Sequence, residues 1–375
     1  MRGTPLAVLA MVRALTGLGH EVELLTYPQG ADVDLPGLRH HRSLRLPVGR
    51  VKAGPSLAKL LLDLPFVLEA FGRMLFRRPD VVHAVEEAAH LVAPLARLLR
   101  LPLVADVDSS IPDQLRYSGF ARRGPLLWAA EALEGGALRG ATAVITVCAA
   151  LTESVRARAP RARLFQIEDP PLVAAAELPA VAEARALRPG LGLAADVPVA
   201  LYTGNFEPYQ GVELLLDAAA RVPEAQFLFV GGEPAETSRL RARAAASGAR
   251  AVFAGKRPPE ELPRLIGLAD VLVSPRVLGQ NTPFKLYTYL ASGRPLVATR
   301  IATHTQLLDD GLAFLVEPTA EGLAAGLRAA LSDPAEAARR AAAGLALIER
   351  DYAPARFREK VAAAYAAVAA AIAAR

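Results

Sequence analysis

The sequence predicts an α/β fold of two doubly wound, Rossmann-like domains facing a cleft. Three observations carry that reading. Short apolar runs alternate with helical stretches in both halves, the pattern of parallel sheets covered on both faces. A Pro-, Ala- and Gly-rich stretch, EDPPLVAAAELPAVAEARALRPGLG, separates the halves. The chain of 375 residues is too long for one ordinary core and suits two.

In order, the first half offers strands at 21–27, 80–85, 102–108, 141–147 and 163–167. The second half repeats the logic at 198–204, 226–232, 251–255, 270–275, 295–299 and 313–318. The domain boundaries follow: 1–175, a linker at 176–195, and 196–350. Doubly wound sheets bind ligands beyond the C-terminal ends of their strands, so functional side chains are sought there.

Composition excludes several classes. Hydrophobic residues make up 53% and charged residues 22%, which describes a packed protein and not a disordered one. The single cysteine, Cys148, rules out an internal disulfide and a cysteine-rich metal site. The opening MRGTPLAVLAMVRAL has the look of a secretory leader, but Arg13 interrupts it and no small-residue cleavage site follows. Lys59, Asp63, Glu69 and Arg73 break the best candidate for a membrane span. A cytoplasmic location is therefore expected, with peripheral attachment to the inner face of a membrane as an extension of it. The net charge of +5 is unevenly spread: residues 39, 42, 45, 50, 52, 59, 73, 77 and 78 are basic against only Asp63 and Glu69. These cations alternate with apolar residues in LAKLLLDLPFVLEAFGRMLF. The stretch is either a solvated helical face or a surface for anionic lipid or a phosphate-bearing acceptor, and the latter is favoured. Nucleic acid is not expected, because no recognition motif or stacking platform accompanies the charge.

The most informative segment runs from Asn281 to Thr299. Thr282 suits an N-cap, Pro283 the first helical position, and Leu286, Tyr289 and Leu290 share one face. Gly293 supplies the C-terminal turn and Pro295 bars continuation. Lys285 in the first turn opposes the helix dipole unless an anion sits nearby, so this helix start is either a phosphate site or an ordinary cap with a solvated lysine. Gly231-Gly232-Glu233 allows close approach of a ligand or another backbone. Asp106 and Asp108 end a strand before Ser109 and Ser110, which suit a helix cap. Glu86 and Glu87 follow the strand end at His83, and His83 itself reads as a satisfied structural residue. Thr303 suits an N-cap, and His304 after it is a candidate ligand contact through the helix N-terminus. Lys256, Arg257 and Arg276 lie at or beyond strand ends; for Arg257 and Arg276 a solvated surface cation is the expected state.

The helix start, the Ala-Ser-Gly-Arg-Pro turn and the strand after it resemble the donor-site segment of the retaining GT-B glycosyltransferases of "glycosyltransferase family 4", or group 1. The resemblance extends from Arg2-Gly3-Thr4-Pro5 and Gly19-His20-Glu21-Val22 to the last helix. It implies a nucleotide-diphosphate sugar as co-substrate and no cofactor or obligatory metal. Donor binding would fall to Gly204, Asn205, Gln210, Lys256, Gln280, Asn281, Thr282, Lys285, Thr288 and Glu317. Gly3, Thr4 and Asp106 would lie on the acceptor side, and Asp108 and Glu86 are the candidate catalytic carboxylates. Residues 351–375 would cross back onto the first domain. The departures matter. The family's two glutamates fall on Gln280 and Thr288, its loop Arg and Lys on Asn205 and Gln210, and its histidine on Asp108. The first strand is also missing upstream of Gly3; either the start is assigned too late or the chain is incomplete, and the former is the expectation.

The resulting expectation is a hexosyltransferase, acting with retention on a lipid-linked or polysaccharide acceptor. Its rivals are a non-catalytic relative that binds a nucleotide sugar or a partner enzyme, and a nucleotide-sugar epimerase on the same fold.

Overall fold

The computed structural model describes residues 3–47, 57–117 and 123–374. Arg50 and Lys52 of the basic stretch lie outside them. The chain divides into two compact units, one of residues 1–7 and 169–356, the other of residues 8–168 and 357–375.

The first of these units is built on six parallel strands in the order β12-β11-β10-β7-β8-β9. They are β7 (Val199–Gly204), β8 (Gln226–Gly231), β9 (Ala251–Gly255), β10 (Val271–Ser274), β11 (Leu296–Thr299) and β12 (Phe314–Val316). The sequence VALYTG begins in the sheet's interior and is buried except at its end, as both-face coverage demands. One face packs Tyr202, Phe227, Phe229 and Phe253 beneath helices Val212–Ala219 and Ala320–Ser332. The other packs Leu201, Leu228 and Leu272 against Leu286, Tyr289 and Leu290 of helix Phe284–Ala291. That second layer fixes where the helix starts, relative to the strand ends.

The other unit carries two parallel sheets: β1 (Val22–Thr26) with β2 (Leu38–Arg42), and β3 (Val82–Val85), β4 (Leu103–Val107), β5 (Ala143–Thr146) and β6 (Leu164–Gln166) in that order. Among the described residues no pairing joins β1 to β3. Val361, Ala364 and Val368 of the last helix, Pro354–Ala373, join Val104, Ala143 and Ile145 in one core. All eleven strands expected from apolar runs are present. β2 was not foreseen because LRHHR is basic and polar; it pairs edge-on with β1 and is only partly buried.

The segment before β7 is tied down by one buried arginine. Arg188 donates to the carbonyls of Leu268 (2.6 Å) and Ala195 (2.9 Å) and to the carboxylate of Asp270 (2.6 Å). Asp270 also accepts from the Val199 amide at 2.8 Å, so the pair pins the bottom edge of β7. Arg188→Ala would take the buried donor from the carbonyls of Leu268, Ala195 and Val197 and leave Asp270 only the Val199 amide and the more exposed Arg185. It is expected to lower unfolding stability by about 3–5 kcal/mol in urea titration, the range for breaking a buried pair, while Arg185→Ala, on the exposed side of the same aspartate, costs under about 1 kcal/mol.

Candidate functional site

The ends of β7 and β8, the loop after β10 and the start of helix Phe284–Ala291 come together around one lysine. β7 ends at Gly204 with φ 147°, where a Cβ would stand 2.9 Å from both Lys285 Nζ and Tyr202 Oη. At Gly231 (φ 125°) a Cβ would fall 1.8 Å from the Gly204 carbonyl oxygen. Only glycine allows this approach of two strand ends beside a cation.

Lys285 Nζ donates to Gln210 Oε1 at 3.1 Å and lies 4.0 Å from the centroid of the Tyr202 ring. It has no carboxylate partner among the described residues. Although part of the side chain reaches solvent, its pKa is pushed well below the usual lysine range, first by removal from water and then by the charge of Arg276. The Tyr202 hydroxyl donates to the Asn205 carbonyl at 2.6 Å, which fixes the loop that carries Gln210. In the helix itself the Leu286 amide is satisfied by the Pro283 carbonyl at 3.0 Å. The Phe284 and Lys285 amides have no protein acceptor among the described residues and are open to a ligand.

Arg276 forms the second cationic element. Its guanidinium donates to the carbonyls of Leu278 (2.7 Å) and Asn281 (3.1 Å) and to Asn281 Oδ1 (3.0 Å). It also faces the Tyr209 ring, 5.2 Å from its centroid. It is 6% exposed and organises the loop from 276 to 281.

In the other unit the carboxylates cluster at the ends of β3 and β4. Asp106 Oδ2 meets His83 Nε2 at 3.0 Å, and His83 Nδ1 meets the Tyr365 hydroxyl at 2.7 Å. A carboxylate only accepts, so Nε2 carries the proton and Nδ1 accepts from Tyr365. Burial raises the Tyr365 pKa and keeps its hydroxyl a donor. The other oxygen, Asp106 Oδ1, is buried with no partner among the described residues. Glu86 sits at the strand-to-helix junction with φ 51° and accepts from Ser109 Oγ at 2.8 Å. Burial, and then the neighbouring Glu87 charge, raise its pKa. Asp108 is buried close by in sequence, at the end of the same strand as Asp106.

Residues 197–333 match the family model "Glycosyl transferases group 1", and residues 2–169 match "Glycosyl transferase 4-like domain". The chain belongs to the group 1 glycosyltransferases. It is 28% identical over 326 residues to a glycogen synthase of Mycobacterium tuberculosis, covering 80% of this chain and 69% of that protein. Among solved structures it resembles sucrose-phosphate synthase from Thermosynechococcus elongatus, with TM-score 0.82, 23% identity, and 98% and 94% of the two chains covered. It also resembles the Anabaena protein HepE in complex with UDP and glucose, with TM-score 0.74, 18% identity, and 96% and 95% covered. Both structural likenesses bear on the fold, which is GT-B.

Within this group 1 glycosyltransferase, the expected donor residues divide. Gly204, Gln210 and Lys285 meet at one point, and Asn281 is held beside them through Arg276. Asn205 turns inward on its own loop, accepting from the Glu207 amide at 3.2 Å. Thr288 is buried and accepts from the Leu172 amide at 3.0 Å. The Gln280 carbonyl accepts from Gln306 at 2.8 Å. Lys256 pairs with Glu233, which is itself half of a capping box. Glu317 is exposed after β12, and its carbonyl accepts from the Thr319 amide at 2.7 Å. Gly3 and Thr4 open helix Gly3–Gly17, in the stretch that groups with residues 169–356.

Several local readings need correction. Helix Phe284–Ala291 is capped by Pro283, and Thr282 is buried without a capping bond, because the loop is held by Arg276 instead. Neither Ser109 nor Ser110 caps the next helix; Glu134 does so, accepting from the Ile111 amide at 3.0 Å, while the serines donate to Glu86 and Glu134. Arg276 is not a surface cation. Nor does His304 reach outward: it is wholly buried, donating from Nδ1 to the Thr299 carbonyl (2.7 Å) and so accepting from Ser274 at Nε2 (2.9 Å). Ile301, not Thr303, precedes its helix as the cap. Tyr202 and Tyr289 were missed as site residues because they sit in apolar runs; the Tyr289 hydroxyl accepts from the Thr203 amide at 2.8 Å.

Burial pushes the His304 pKa down to about 4 from 6.5. Between those values the unfolded chain binds a proton that the folded chain refuses. Stability is therefore expected to fall by about 3 kcal/mol as pH drops from 6.5 to 4, with no further loss through this group below 4. Urea titrations across that range check it. His304→Asn, which keeps a donor near Nδ1, should flatten the slope.

Proposed function

We propose that the chain transfers a hexose from a nucleotide-diphosphate sugar to a lipid-linked or polysaccharide acceptor, with retention of configuration and without an obligatory metal. The observation that carries this reading is Lys285. A cation withdrawn from water with no protein anion beside it is completed by an anionic ligand, and two open amides lie in the same helical turn. A diphosphate there would receive a charge-assisted hydrogen bond from Nζ and neutral ones from the amides. As the sugar leaves, the same groups stabilise the charge that develops on the nucleoside diphosphate. The HepE structure, which holds UDP and glucose, and the polysaccharide product of glycogen synthase support the substrate classes.

Glu86 or Asp108 would orient or deprotonate the acceptor hydroxyl. The raised pKa of Glu86 makes it a better proton acceptor than an ordinary carboxylate. Retention needs no protein nucleophile, because a donor phosphate oxygen can assist on the same face. The absence of the family's two glutamates, at Gln280 and Thr288, favours one second reading: a relative that binds a nucleotide sugar without turnover. Transfer of radiolabelled sugar to membrane or glycan fractions decides between them.

Calorimetry with UDP and GDP tests the donor site. Lys285→Ala is expected to weaken the better ligand by about 1.5–3 kcal/mol, the range for hydrogen bonds to charged groups. A diphosphate is expected to raise the lowered lysine pKa again, so above that lowered pKa binding should take up protons and weaken as pH rises. Paired titrations in buffers of different ionisation enthalpy measure that uptake. Equal affinity in Lys285→Ala and wild type would remove the site from this helix.

A further inference from the structure

Helix Leu57–Arg77 has two apolar faces and only one is covered. Leu62, Phe66 and Met74 are buried on the inner face. On the opposite face Leu61, Leu64, Leu68 and Leu75 form a stripe at three-, four- and seven-residue steps, and Phe76 flanks its C-terminal end. The three leucines at 61, 64 and 68 are 59%, 65% and 62% exposed, and Phe76 is 83% exposed. We propose that this stripe lies in the plane of a membrane, with its side chains among the lipid tails and its arginine end at anionic headgroups.

Charge selects that occupant. Both acids of the helix already have partners: Asp63 accepts from the Tyr27 hydroxyl, and Glu69, on the Phe76 side of the helix, pairs with Arg73 at 2.9 Å, so neither brings an unpaired charge to the stripe. At its end Arg77 and Arg78 are exposed and have no carboxylate partner among the described residues. The wider basic stretch contributes less than its count suggests. Arg39 pairs with Glu21 and Glu23, Arg42 with Asp32, Lys59 with Glu87, and Arg73 also with Glu23. Between Leu61 and Leu75 the stripe itself carries no side-chain hydrogen-bonding group to set a register with a protein partner. Among the described residues no helix is long and apolar enough to cross a membrane, so the geometry points to a helix lying at the interface.

The proposal does not depend on the transferase reading. The full chain is floated with vesicles of 70% phosphatidylcholine and 30% phosphatidylglycerol, and with pure phosphatidylcholine, at low and physiological salt. Wild type is expected to float with the anionic vesicles. Leu64→Gln/Leu68→Gln/Phe76→Gln should reduce its partition at least tenfold with little change in melting temperature, because these side chains are mostly exposed. Phe76→Gln alone, as a milder variant, should give a smaller loss in the same direction. Arg77→Gln/Arg78→Gln should remove the preference for anionic over neutral vesicles. Wild type that stays in the aqueous fraction at low salt would overturn the proposal. So would flotation that depends on the arginines but not on the stripe, or a concentration-dependent dimer in sedimentation that the triple variant abolishes.

Discussion

The site depends on a single uncompensated charge. Lys285 is held against the Tyr202 ring and Gln210, largely out of water, with Arg276 near enough to repel it. The withdrawal from water and the repulsion by Arg276 cost stability in the empty protein, since burying an unpaired cation is unfavourable. The surrounding structure makes the arrangement persist. Gly204 and Gly231 let two strand ends meet at a distance no Cβ would allow, and Tyr289 ties the Thr203 amide to the helix that carries the lysine. The sheet and the helix beneath it thus place the cation, and the loops only shape its surroundings.

That division explains what replaces the family's loop cations. Gln210 does not substitute for a lysine; its carbonyl oxygen accepts from Lys285 and so aims that side chain. Asn205 spends its side-chain oxygen on the Glu207 amide, and its carbonyl receives the Tyr202 hydroxyl. The two neutral residues build the loop. The cation of this cluster, Lys285, stands on a helix whose position is set by packing of Leu286, Tyr289 and Leu290, which is more rigid than a loop.

How legible this was in the sequence follows from the range of each interaction. Strands with apolar runs were legible because burial on both faces writes itself into consecutive residues. β2 was not, because a partly buried edge strand reading LRHHR carries no such run. Lys285 was legible because helix-start chemistry is local. Arg276 was not, because its state depends on Leu278, Asn281 and Tyr209 folding around it. The serine caps failed for a related reason: Glu134, more than twenty residues away, took the amide that the local rule gave to the serines. The basic stretch is less charged than its residues read, since carboxylates at 21, 23, 32 and 87, distant in sequence from their partners, pair with Arg39, Arg42, Lys59 and Arg73.

One physical rule acts on both units with opposite chemical effect. Burial disfavours whichever form is charged, so it lowers Lys285 and raises Glu86. In the empty protein both groups are therefore biased toward neutrality, the lysine ready to gain a proton and the carboxylate readier than usual to keep one. An anionic ligand reverses the bias at Lys285, because its charge repays the desolvation that the fold imposes. Among the described residues Glu87 has the largest charge effect on Glu86 and raises its pKa, while the Ser109 hydrogen bond and, more weakly, Lys59 favour its ionised form. The lysine is thus suited to hold charge that arrives with a ligand, and the glutamate to accept a proton from a neutral one. In the proposed reaction a hydroxyl acceptor and a diphosphate donor would make these two different demands, and the two groups would meet them by the same physics.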